Sequence, residues 1–69
     1  MEQTVIFEFS LEEIVQDIKK GGPNMIIIKQ EHSIKDGVYY VLVDLDINGT
    51  VIDPPNLKLR RGYNLKKVS

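Results

Sequence analysis

The chain has 69 residues, no cysteine and one histidine, His32, and its nine basic and ten acidic residues leave a net charge of −1. A chain of this length forms one domain that buries only about 60% of its unfolded surface. Its composition removes disulfides, thiolate metal sites and multi-histidine sites, so self-association is the remaining route to extra burial. The charge is unevenly placed. Residues 1–57 hold ten acids and four basic residues, whereas residues 58–69 hold five basic residues (Lys58, Arg60, Arg61, Lys66, Lys67) and no acid. Met1 is followed by Glu2, and the longest apolar run, Met25 to Ile28, is far shorter than a membrane span. These features lead us to expect a cytoplasmic protein with no membrane contact.

The first element is a strand from Thr4 to Phe9, with Val5, Phe7 and Phe9 on one face. Ser10 and Glu13 have capping-box spacing, and Phe9 and Ile14 have the spacing of a hydrophobic staple. Leu11, Ile14, Val15 and Ile18 follow the i, i+3, i+4, i+7 pattern. Acids occupy the first turn and Lys19 and Lys20 the last, before Gly21-Gly22-Pro23. Together these signals predict a core-facing helix from Ser10 to Lys20.

A strand from Asn24 to Lys35 follows, then Asp36-Gly37 as a two-residue type I′ turn, then a strand from Val38 to Ile47. That turn places Ile34 opposite Tyr39, His32 opposite Val41, Gln30 opposite Val43 and Ile28 opposite Leu45, an apolar face expected to carry the core. Lys29 then pairs with Asp44 on the other face. Asn48-Gly49 predicts a second hairpin that returns Thr50 to Asp53, with Ile52 opposite Leu45, until Pro54-Pro55 ends it. The expected fold is α+β: one N-terminal helix on a small, mainly antiparallel sheet of three or four strands, β-α-β-β with a short fourth strand at most. Residues 1–57 form the domain, and the basic segment 58–69 is an edge strand or an arm.

Few residues suggest chemistry. Asp44-x-Asp46-x-Asn48-Gly49 matches half a calcium loop, but Pro55 stands where a bidentate glutamate is required. The polar outer face of a strand and an Asn-Gly turn explain it better. His32 has no nucleophile or base partner, so no catalytic residue, metal site or cofactor is expected. Lys58, Arg60, Arg61, Lys66 and Lys67, with Tyr63 as a stacking platform, suit weak phosphate contact. Lysines guarding an edge strand, or a tail docked on the acidic body of a second copy, account for the same residues. On the face opposite the predicted core, Ile27, Tyr40 and Leu42 form a candidate dimer face.

The capped segment Ser10 to Gly22 and the Asp36-Gly37 hairpin resemble those of the YopT-like proteins, a family of small prophage-borne proteins of Gram-positive bacilli. The resemblance implies a homodimer built from one helix and three strands, and it brings no active-site residues. The expectation is therefore a non-enzymatic interaction protein that acts as a homodimer or on another protein. The alternative is a nucleic-acid-binding module that uses the basic segment.

Overall fold

The computed structural model describes residues 6–68. It is all-β: a five-stranded antiparallel sheet with no α-helix among the described residues. The strands are β1 (Ile14–Asp17), β2 (Gly21–Ser33), β3 (Gly37–Asp44), β4 (Leu57–Arg60) and β5 (Leu65–Lys67), with one 3-10 turn at Gly62–Asn64. Their order in the sheet is β4-β3-β2-β1-β5.

The expected α+β fold with its N-terminal helix is thus replaced by strand and turn. The local bonds of the capping box exist in part. Ser10 N–H donates to Glu13 Oε1 at 2.9 Å, and Glu13 N–H donates to the Ser10 carbonyl at 3.2 Å. These bonds close a single turn, and Glu12 then takes a left-handed φ of 67°. The chain leaves extended, with Ile14 against Ile26 and Val15 against Met25. In β1, Val15 and Asp17 are buried while Ile14 and Ile18 on either side are exposed. Burial thus alternates with period two, and the helical stripe of the sequence covers nothing. Of the strand expected at Thr4–Phe9, residues 6–9 lie outside any strand, and Thr4 and Val5 fall outside the described residues.

Two hairpins share one design. Asp17-Ile-Lys-Lys-Gly21 joins β1 to β2, and Ser33-Ile-Lys-Asp-Gly37 joins β2 to β3. Each has a three-residue loop closed by a glycine at positive φ, 64° at Gly21 and 76° at Gly37. A loop of three residues with a left-handed closing position is the next most common hairpin after the two-residue types. The residue before each loop caps it. Asp17 Oδ1 accepts from Lys19 and Lys20 N–H, both at 2.9 Å, and Ser33 Oγ accepts from Lys35 and Asp36 N–H at 3.2 and 3.3 Å.

The three-residue loop overturns the predicted register. Gln30 pairs with Tyr40 and His32 with Val38, and a bulge between Ile27 and Lys29 shifts the remainder so that Ile27 pairs with Leu42. The second hairpin forms only a single bridge, Leu45 with Val51 in place of Ile52. The strand beside β3 comes later, with Val43 against Leu57 and Tyr40 against Arg60.

The core is the face that the sequence assigned to the outside. Phe9, Val15, Met25, Ile27, Tyr40, Leu42 and Leu65 form it, with Phe7 and Val38 packed against it. Tyr40 lies edge-on to Phe9 and Phe7, with ring centroids 5.6 and 6.3 Å away. Its hydroxyl accepts from Phe9 N–H at 3.1 Å, and Gln30, its cross-strand partner, donates to the Phe9 carbonyl at 2.7 Å. Both peptide groups of Phe9 are therefore satisfied by one cross-strand pair.

The sheet is strongly curled. A flat sheet of five strands would set its edges about 19 Å apart. Arg60 ends one edge strand and Leu65 begins the other, a reach of at most about 17 Å when fully extended. The intervening 3-10 turn rises only about 2 Å per residue, so the edges must bend toward each other. The Arg60 side chain on β4 accordingly reaches Asp17 on β1 at 3.1 Å, across the mouth of a partly open barrel.

Three outcomes follow. Glu12→Gly should stabilise the domain by roughly 0.5–1 kcal/mol, read as a higher urea midpoint, because glycine relieves a left-handed residue at some entropic cost. In a helix the same change would lower stability by about 1 kcal/mol. Tyr40→Phe should cost about 1–3 kcal/mol by leaving the Phe9 N–H buried without its acceptor. Leu42→Lys should abolish the cooperative denaturation transition outright.

Candidate functional site

The residues assigned to a dimer face, Ile27, Tyr40 and Leu42, are with Val15 the most deeply buried of the described residues, at 0, 1 and 0% exposure. They cannot meet a second copy without unfolding the first. Both sheet faces are aliphatic near their centre. Phe9, Phe7 and Leu65 select this one by covering it, a long-range event with no local signature.

The basic segment is divided and largely engaged with the chain's own acidic body. Lys58 Nζ lies 3.0 Å from Asp44 Oδ1, off the hydrogen-bond direction, so charge holds the pair. Arg60 Nε donates to Asp17 Oδ2 at 3.1 Å. Arg61 donates through one guanidinium nitrogen to the Asp36 and Val38 carbonyls, and its guanidinium carbon lies 5.8 Å from the Tyr39 ring centre. Those carbonyls are neutral, so Arg61 keeps its charge. Tyr63 stands on the 3-10 turn at 77% exposure. Lys66 and Lys67 lie on β5 at the opposite edge from β4, and Lys67 pairs with Glu13 at 3.5 Å. The predicted cations are thus split between two edges.

The structure instead adds Lys19 and Lys20, whose place in the sequence suits a helix C-terminus. The β1–β2 loop carries them to the end of β4. There, Asp17, Lys19, Lys20, Leu59, Arg60, Arg61 and Asn64 line an open groove of about 320 Å³. Ile18 N–H donates to the Asn64 carbonyl at 2.8 Å, which fixes the loop against the 3-10 turn. At the floor of the groove Asp17 is saturated. The hydrogen bond from Lys20 N–H is the largest influence holding its carboxyl below the ordinary 3.8; burial opposes it, and Arg60 and Lys19 N–H reinforce it.

The half calcium motif is an ordinary turn. Asp46 Oδ1 accepts from Asn48 and Thr50 N–H at 2.9 and 3.0 Å, while Asp44 is buried against Lys58. No cluster of three or more metal-ligating side chains exists among the described residues. His32 is exposed and pairs with Val38 instead of Val41. Among the described residues no helix is long and apolar enough to cross a membrane.

The other prominent feature is the outer face of the sheet. Ile14, Ile26, Val43 and Leu57 stand in one register row across β1, β2, β3 and β4. Val41 and Leu59 form the next row, with Ile28 at the bulge beside it. Val43 is covered, but Leu57, Leu59, Ile28 and Ile14 remain 64, 61, 48 and 41% exposed.

No family model, curated protein or solved structure matches this chain. The single helix implied by the resemblance to YopT-like proteins is not part of the observed architecture.

Asp17 makes a pH test available. Its folded value is depressed, so its contribution to stability is complete above the unfolded value near about 3.9 and disappears as pH falls through the folded one. Denaturation midpoints of wild type and Asp17→Asn should therefore differ by a constant amount above about pH 4 and converge below it.

Proposed function

We propose that the protein is a non-enzymatic interaction module that works as a homodimer in the cytoplasm, its two copies packing outer face to outer face. The observation that carries this reading is the aliphatic row Ile14–Ile26–Val43–Leu57, extended by Ile28, Val41 and Leu59, of which Ile14, Ile28, Leu57 and Leu59 are left open. A fully buried aliphatic side chain accounts for roughly 60–120 Å² of apolar surface. The four exposed residues thus offer roughly 130–260 Å², and the half-buried Ile26 and Val41 bring the patch toward the ~300 Å² at which patches on monomers are often functional.

A second copy suits this patch better than a different partner. A twofold axis presents the same row from both sides, and two sheets packed face to face share a layer about 10 Å thick. The domain has one thin core and no crosslink, so the second layer supplies the burial that its length denies it. The charged pair beside the patch, Lys29 with Glu31 at 2.9 Å, is internally neutral and does not oppose the approach of a twin. A full interface buries about 800 Å² per partner, so the polar rim must join the apolar centre.

Sedimentation over a dilution series is the measurement. The wild type should convert from monomer to dimer below about 1 mM, the limit set by roughly 4 kcal/mol of association energy. Leu57→Lys and Ile28→Lys should remain monomeric with an unchanged far-ultraviolet spectrum, since both side chains lie outside the core. A wild type that is monomeric at every concentration up to that limit contradicts the reading.

A further inference from the structure

We propose that the groove between the β1–β2 loop and the end of β4 binds the phosphodiester backbone of single-stranded nucleic acid. It gathers cations from two segments far apart in sequence: Lys19 and Lys20 from the loop, Arg60 and Arg61 from the end of β4. The only carboxylate in its lining, Asp17, has both oxygens occupied, Oδ1 by two backbone N–H groups and Oδ2 by Arg60. Four cations stand against one carboxylate, and Lys19, Lys20 and Arg61 have no acidic partner among the described residues.

Several features favour phosphate over the carboxylates of an acidic peptide. Asn64 adds an amide to the lining. The volume, about 320 Å³, is some ten times that of one water and admits a phosphate group. Aromatic faces flank the cations. Tyr39 lines the adjoining depression together with Asp36, Leu59, Arg60 and Arg61, where the two arginines outnumber the one carboxylate, and Tyr63, next to Asn64, is 77% exposed. Cations that track a backbone, with tyrosines beside them on which bases stack, are the requirements of a single-strand site, and a peptide has no use for the stacking faces. The surrounding body is acidic, which confines a polyanion to this groove. The site shares Leu59 with the aliphatic patch, and its test reads oligonucleotide binding instead of oligomeric state, so either proposal can fail alone.

Fluorescence anisotropy of short labelled oligothymidylate and oligouridylate with the intact protein provides the test. Binding should be seen at low salt, with log K falling against log salt at a slope of about −2 for three contacting cations. Lys19→Gln/Lys20→Gln should weaken it roughly tenfold and flatten the slope to about −1. The double variant keeps the fold, because the loop's bonds to Asp17 come from backbone N–H groups. Tyr63→Ala should cost a further fivefold to hundredfold, roughly, whereas Lys66→Gln on the far edge should change nothing. The proposal is overturned by no binding at low salt. It is equally overturned by polyglutamate binding as tightly as the oligonucleotide, or by Lys66→Gln costing as much as the loop variant.

Discussion

Tyr40 ties the two ends of the described chain to the middle of its sheet. The ring is 1% exposed, its edges meet Phe7 and Phe9, and its hydroxyl holds the Phe9 backbone. On its other side lies the 3-10 turn, where a side chain at Gly62 would approach Tyr40 Cε2 to 3.5 Å and Glu8 Oε2 to 3.1 Å. Glycine there lets the turn sit close on the ring. The N-terminal segment and the link between the two sheet edges therefore converge on one residue of β3. An aromatic ring serves because it adds a large apolar area and one polar atom that can satisfy a peptide group inside the core.

Much of this was legible in residues whose signals were assigned to the wrong element. Ser10, Glu13, Ile14, Val15 and Ile18 satisfy every local criterion of a helix start, and the first bonds they make are those of such a start. A helix gains its stability chiefly from tertiary packing of its apolar stripe, and here the sheet accepts only Val15 and Asp17. The glycines were informative in another way. Asp17-Ile-Lys-Lys-Gly21 and Ser33-Ile-Lys-Asp-Gly37 share spacing and chemistry, and their similarity marks two hairpins of one kind. Taking Asp36-Gly37 as the whole loop shortened it by one residue, and the bulge near Ile28 cannot be read from composition at all. The choice between two aliphatic faces depended on Phe9 and Leu65, which meet the sheet only after it has curled.

The charge segregation proved to be a folding instruction first. Asp17 and Asp44, buried on the inner face, receive Arg60 and Lys58 from the basic segment. A cation supplied late in sequence neutralises an acid placed earlier, and the acid in turn directs where β4 lies. Partly buried pairs of this kind contribute modestly to stability, but a buried carboxylate left without its cation is penalised strongly, so the pairing selects this arrangement over others. The groove cations were visible as residue types and invisible as a group, since the curl alone brings Lys19 and Lys20 to Arg61.

The pairing of β5 with β1 also governs the order of events in the cell. Val15 and Lys67 are neighbours in the sheet yet lie near opposite ends of the chain. While the polypeptide is being made, β1 to β3 can pair as they emerge, each through its own tight loop. Val15 nevertheless keeps a bare edge on one side until Leu65 arrives. Contacts so distant in sequence slow closure, and an unpaired strand edge invites pairing with other chains in the meantime. The chain is therefore most vulnerable in the interval after β1 to β3 have paired and before β5 arrives to cover the free edge of β1.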